Sequence, residues 1–169
     1  MSSARAPLRR AGRGTDEEGL TVTWSMAEGR RGSRWREVRV ANAAVVSSLL
    51  LELDPDRRFA HLELATAAGL LTLHPEGDGT LHGNAILADG VRHIVAVPWQ
   101  ADDLLFVAGS TIARAAAARR GAVTSGVLIA IDLTLERRPI GLGDRVVELD
   151  TDGLPAFPDG EAWPLDLRD

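Results

Sequence analysis

From Leu20 onward the chain runs in short apolar stretches, alternating or continuous, cut apart by Asp, Gly and Pro. Alternation places every second side chain on one face, which is the mark of a strand. Leu20-Thr-Val-Thr-Trp24 alternates as a first strand, and Trp35, Val38 and Val40 lie in a second, less regular segment. Val45 to Leu53 is apolar enough for a buried strand or a short helix, and periodicity does not separate the two. Asp54-Pro55-Asp56 then turns the chain, and Phe59 to Thr66 alternates again, with Leu62 and Leu64 opposite His61 and Glu63.

The clearest unit is Leu70 to Leu87, two strand-like runs around Gly77-Asp78-Gly79. A loop at those residues faces His74 with His82, Thr72 with Asn84 and Leu71 with Ala85, which keeps apolar beside apolar. A slip of one residue sets Leu73 against Asn84 and is disfavoured. Asp89-Gly90 is a further turn before a strand over Val91 to Val97, and Leu104 to Ala108 is another apolar run. Ser110 or Thr111 can cap a helix through Arg120, because Ala115 to Ala118 favour helix. Val127, Ile129, Ile131, Leu133 and Leu135 then fall on one face of a long strand, and Val146 to Leu149 form another. The pattern predicts a mainly β fold, an antiparallel β-barrel or half-barrel with one or two short helices. Residues 1–19, rich in Ser, Ala, Arg and Gly, read as a flexible tail, and 20–169 as one β-rich domain.

The length of 169 residues suits one domain with a full core. A formal net charge of −5 argues against a nucleic-acid partner and leaves room only for a local basic patch. All 19 cationic side chains are Arg. The absence of Cys removes thiolate chemistry, disulfides and Cys-ligated zinc. No apolar run is long enough for a membrane helix, and no apolar segment follows the N-terminal arginines, so a cytoplasmic location is expected.

Candidate chemistry is sparse. His74 and His82 could sit side by side and ligate a metal, but a third ligand at known spacing is missing, so ordinary polar positions are the better reading. Glu148-x-Asp150-x-Asp152-Gly153 with Asp159 has the outline of a calcium loop, yet Pro155 and the strand-like flanks break it. Gly109-Ser110-Thr111 lacks a nucleophile elbow, and the Gly-x-Gly pairs open no helix. No catalytic residue and no cofactor are expected. The tryptophans and phenylalanines are spread along the chain, which suits core packing or the lining of an apolar pocket at a barrel mouth.

Val146-Val-Glu-Leu-Asp-Thr-Asp-Gly-Leu-Pro-Ala-Phe-Pro-Asp-Gly-Glu-Ala-Trp163 resembles the C-terminal strand, acidic turn and aromatic ending of a family of glycolipid-binding proteins. Glu76-Gly-Asp-Gly79, Asp89-Gly90-Val-Arg-His-Ile94 and Val97-Pro98-Trp99 resemble further turns and strand entries of that family. Gln100 to Gly109 departs from the family's Thr- and Asn-rich segment. The resemblance implies a barrel-like antiparallel sheet that binds a lipid or glycolipid without catalysis. On that reading Trp35, Trp99 and Phe106 line the concavity, and Arg92 or Arg114 meets an anionic or sugar headgroup. The alternatives are an enzyme using His74, His82 or His93 on the same scaffold, or a protein-interaction module. A homodimer is compatible with each reading.

Overall fold

A computed structural model describes residues 7–121, 123, 125–141 and 147–165. Eight strands follow one another as an antiparallel meander: β1 (Arg9–Thr15), β2 (Thr21–Gly29), β3 (Gly32–Ala41), β4 (Ala44–Leu53), β5 (Phe59–Thr66), β6 (Gly69–Pro75), β7 (Thr80–Leu87) and β8 (Gly90–Pro98). Next come β9 (Leu104–Val107), the helix α1 (Thr111–Arg120), β10 (Ser125–Ile129) and β11 (Leu135–Pro139), whose strands form a separate three-stranded sheet. β12 (Glu161–Pro164) returns to pair with β1 and completes a nine-stranded sheet. β8 and β12 are its two ends and do not pair with each other, so the protein is a mainly β half-barrel.

Alternation decides which face is buried. Val22, Trp24 and Met26 on β2, Leu49 and Leu51 on β4, and Leu71 and Leu73 on β6 all point into the concavity. α1 and the small sheet fill that concavity: Ile112, Ala113, Ala115 and Ala116 join the same core cluster as Leu105, Val107, Val127 and Ile129. The alanines matter here because a methyl group lets the helix sit close to the sheet while retaining high helix propensity. β9 and β10 pair in parallel across α1, a β-α-β crossover. Leu104 and Phe106 face away from the main core and pack with Ala117 in a second, smaller cluster.

The hairpin register is the expected one, with His74 opposite His82, Thr72 opposite Asn84 and Leu71 opposite Ala85. Val45 to Leu53 is strand β4, not helix, and α1 is capped by Ser110, whose hydroxyl accepts from the Ala113 amide. Three expectations need correction. Residues 9–15 are not tail but strand β1, held by β2 on one side and β12 on the other. The long strand expected over Val127 to Leu135 is a hairpin: β10 ends at Ile129, and residues 130–134 turn the chain so that Ile129 pairs with Leu135. Leu149 makes only an isolated bridge to Pro155, and Val146 lies outside the described residues.

The β3–β4 turn carries backbone strain. Asn42 and Ala43 adopt φ of +49° and +64°, both in the left-handed region, as a tight two-residue hairpin turn demands. Asn tolerates that region and Ala does not. Ala43→Gly is therefore expected to stabilise the protein by about 0.5–1 kcal/mol, strain relief exceeding the added unfolded-chain entropy. Thermal melting should show a rise of about 1–4 °C; a fall would show that the turn is not held in this conformation.

Candidate functional site

One end of the half-barrel holds buried charge on the inward face of β3. On β3 the inward positions run Trp35, Glu37, Arg39, and all three are buried. The Glu37 carboxylate accepts from the backbone amides of Thr111 and Ile112, each at 3.0 Å. A strand side chain thus satisfies the first turn of α1, where free N–H groups and the helix dipole both favour an anion. Burial nevertheless pushes the Glu37 carboxyl above its ordinary value, against the pull of the Ile112 amide, Ser110, Arg39 and the Thr111 amide.

Arg39 lies two residues further along the same face. Its Nε and Nη2 donate to Asp16 Oδ2 at 3.0 and 2.8 Å, and Nη2 also donates to Glu18 Oε2 at 2.8 Å. Burial lowers the guanidinium's proton affinity, but the bonds and charges of Asp16 and Glu18 outweigh it and hold Arg39 above its usual value. Asp16 also accepts from the Glu18 and Leu20 amides, so one carboxylate both shapes the β1–β2 turn and neutralises Arg39. Gly109, between β9 and α1, has φ +74°, and a Cβ there would collide with the Arg39 guanidinium. A register shift in the β3–β4 pairing falls between Arg39 and Val40.

Next to this charged cluster, sharing Asp16 and Thr111 with it, is a cleft of about 160 Å³. The β1–β2 turn supplies Asp16 and Glu17, α1 supplies Thr111 and Arg114, and the C-terminal segment supplies Val147, Glu148, Ala156, Phe157 and Pro158. Glycine seats the aromatic wall. A Cβ on Gly14 would collide with Phe157, and one on Gly160 would stand 2.7 Å from Phe157 Cβ. Asp159 pins the same segment to β1, accepting from the Thr15 amide at 2.9 Å and the Thr15 hydroxyl at 2.6 Å.

The five residues expected to bind a ligand are not gathered round one space. Trp35 is 1% exposed in the main core, its indole N–H donating to Ser33 Oγ at 3.0 Å while the Arg119 guanidinium lies 5.6 Å from its ring. Trp99 packs edge-on against Phe59 with centroids 5.5 Å apart. Phe106 belongs to the second cluster, behind the small sheet. Arg92 donates to the Leu133 carbonyl at 2.7 Å and ties β8 to the small sheet. Arg114 alone lines the cleft, with Nε donating to the Ser110 carbonyl at 3.3 Å.

The histidines lie outside it. His74 and His82 face each other across β6 and β7, on the face turned away from the core; His74 pairs with Glu76 at 2.9 Å and His61 with Glu63 at 3.2 Å. His93 Nδ1 and Asn84 Oδ1 are 2.7 Å apart on the same outer face. Among the described residues no three His, Asp or Glu side chains cluster as a metal site. The carboxylates of the calcium-like outline are spent separately: Asp150 closes its own turn onto the Asp152 and Leu154 amides, Asp152 pairs with Arg10 and Asp159 holds Thr15. Among the described residues no helix is long and apolar enough to cross a membrane. No family model matches the chain, and no curated protein or solved structure shows significant similarity to it.

Sequence reasoning missed Glu37, Arg39 and Asp16. The signal was present in Trp35-Arg-Glu-Val-Arg-Val40, where Trp35 and the two Val residues sit on opposite faces of one strand. That conflict of phase is what makes the segment read as irregular, and it hides two charges on the inward face.

Proposed function

We propose that the protein is a non-catalytic binding protein whose cleft, at the mouth of the half-barrel, takes a small amphipathic ligand with a sugar-like polar part. The observation that supports this is the mixed lining of the cleft, which combines apolar surface from Phe157, Pro158, Val147 and Ala156 with the polar groups of Thr15, Glu17, Glu148, Thr111 and Arg114. Carboxylates accept from hydroxyl groups, and Arg and Thr donate to them, so this set of polar groups suits a neutral polyol better than a bare anion. The ring of Phe157 offers an apolar face to a sugar ring or to the start of an alkyl chain. About 160 Å³ is smaller than the roughly 300–1,000 Å³ that drug-sized ligands fill, so the cleft holds a single ring and not a whole acyl chain. With α1 and the small sheet occupying the concavity, a chain attached to that ring runs outward along the mouth.

Calorimetric titration with short alkyl glycosides tests the reading. Binding is expected for the wild type, with at least a tenfold loss in Phe157→Ala and in Arg114→Ala and no change in Phe106→Leu. Undetectable binding of every glycoside at millimolar concentration, together with no extractable ligand by native mass spectrometry, would sink the proposal.

A further inference from the structure

The outer face of β1 to β3 carries charge of the opposite sign to the chain as a whole. Strand alternation places Arg9 and Arg13 of β1 and Arg34 and Arg36 of β3 on the side away from the core. Register sets them in rows: Arg9 aligns through Ala27 with Arg34, and Ala11 through Ser25 with Arg36. Arg30 and Arg31 form the β2–β3 turn at the end of the same strands. Arg34 pairs with Glu52 at 2.5 Å. Among the described residues Arg9, Arg13, Arg30, Arg31 and Arg36 have no ion-pair partner. The acidic neighbours at the Arg13 end are Glu161 of β12, opposite Arg13, and Asp159, which is bonded to Thr15. Between the arginines the face is low, made of Ala11, Thr23, Ser25 and Ala27.

One large aromatic stands on this face. Trp163 of β12 pairs with Ala11 and is 41% exposed, whereas Trp24, Trp35 and Trp99 are all buried. It therefore lies beside the strand that carries Arg9 and Arg13. From the Thr23 row to the turn at Gly29 is six residues, about 20 Å along the strand. Two open depressions mark the ends of that path, one bounded by Arg13, Thr21 and Trp163 together with the carboxylates Asp159 and Glu161, the other by Arg30, Arg31 and Arg34 with Glu52, which Arg34 already pairs.

From this arrangement we infer a second binding surface, distinct from the cleft: the outer face of β1 to β3 binds single-stranded nucleic acid, the arginines meeting phosphates and Trp163 stacking on a base. Charge complementarity supplies the sequence-independent part of such binding, and an exposed ring supplies the part that distinguishes a base from a bare phosphate. A single strand fits better than a duplex because the face is the convex side of the half-barrel, and a flexible chain can follow that curve. An anionic membrane fits worse, because Ala11, Thr23, Ser25 and Ala27 give lipid nothing to bury.

Fluorescence anisotropy of the full chain with a labelled twelve-residue oligothymidine tests the inference. Binding is expected at 50 mM salt, weakening with a log–log salt slope of about −3 if four arginines each neutralise a phosphate. Arg13→Glu/Arg36→Glu should lose at least 30-fold, and the milder Arg13→Gln/Arg36→Gln pair at least fivefold with an unchanged melting temperature. Trp163→Ala should lose at least fivefold and Trp163→Phe should recover most of it. No binding at 100 µM protein in 50 mM salt overturns the inference, as does affinity indifferent to the arginine variants. Binding to inorganic polyphosphate as tight as to the oligonucleotide and indifferent to Trp163 overturns the stacking, and binding to phosphatidylserine vesicles alone assigns the face to lipid instead. Phe157→Ala leaves oligonucleotide binding intact, so this result and the glycoside result stand or fall separately.

Discussion

Replacing Arg39 with alanine is expected to cost about 3–5 kcal/mol, the typical loss when one partner of a buried ion pair is removed. The cost arises from what stays behind. Asp16 has only 5% of its side chain exposed, and its Oδ2 takes two donors from the same guanidinium. Without Arg39 that oxygen keeps its charge in a site that water hardly reaches. Glu18 is different: it is 64% exposed, so its bond to Arg39 is largely screened and Glu18→Ala should cost under about 1 kcal/mol. Arg39→Lys should recover only part of the loss, because an ammonium cannot present the Nε and Nη2 pair together. The double variant Arg39→Met/Asp16→Asn should recover more, since Asn retains an acceptor for the Glu18 and Leu20 amides while removing the buried charge. Urea unfolding of the five proteins checks the series. An Arg39→Ala loss below about 1 kcal/mol would mean that the pair is hydrated in solution.

Much of this architecture was legible in the sequence, and the failures have local causes. The β6–β7 register followed from placing Leu71 and Leu73 on one face, because a period of two leaves a single register with one face buried. α1 was legible because its alanine run and Ser110 cap act locally. The β10–β11 hairpin was not, because Ile131 and Leu133 continue the apolar phase straight through the turn. Leu133, fully buried, sits there with φ of +66°, a cost that tertiary packing sustains and that no pattern reveals. β1 was hidden by composition: Arg-Arg-Ala-Gly-Arg-Gly has no β propensity, and its glycines are there so that Trp24 and Phe157 can approach the strand, with a Cβ on Gly12 only 2.6 Å from the Trp24 ring. The cleft was hidden for a related reason. It is assembled from the β1–β2 turn, the first turns of α1 and residues 147–158, segments far apart in the chain. Arg114 was the one cleft residue expected, and it came from a resemblance and not from periodicity.

Glu37→Ala is expected to be as damaging as Arg39→Ala, and its conservative counterpart carries the information about pH. Alanine leaves the buried Thr111 and Ile112 amides without an acceptor, each costing about 1–3 kcal/mol, and opens a void beneath the helix. Glu37→Gln retains a carbonyl oxygen for those amides and should cost far less. The two versions differ in their response to protons. The Glu37 carboxyl is raised above 4.5 in the folded protein by burial, so the native state binds a proton more tightly than the unfolded chain. Stability then falls as pH rises from the unfolded value toward the raised folded one, because the native state must either hold its proton against a rising pH or carry a buried charge. Wild type should therefore be favoured relative to Glu37→Gln at low pH and lose that advantage as pH rises through the raised value, while Gln, which does not titrate, is the reference. Subtracting the two unfolding free energies at steps from pH 4.5 to about 8 isolates this one group from every other carboxylate. A constant difference would mean that the helix amides, Ser110 and Arg39 balance burial, and a difference moving in wild type's favour with rising pH would show that they outweigh it.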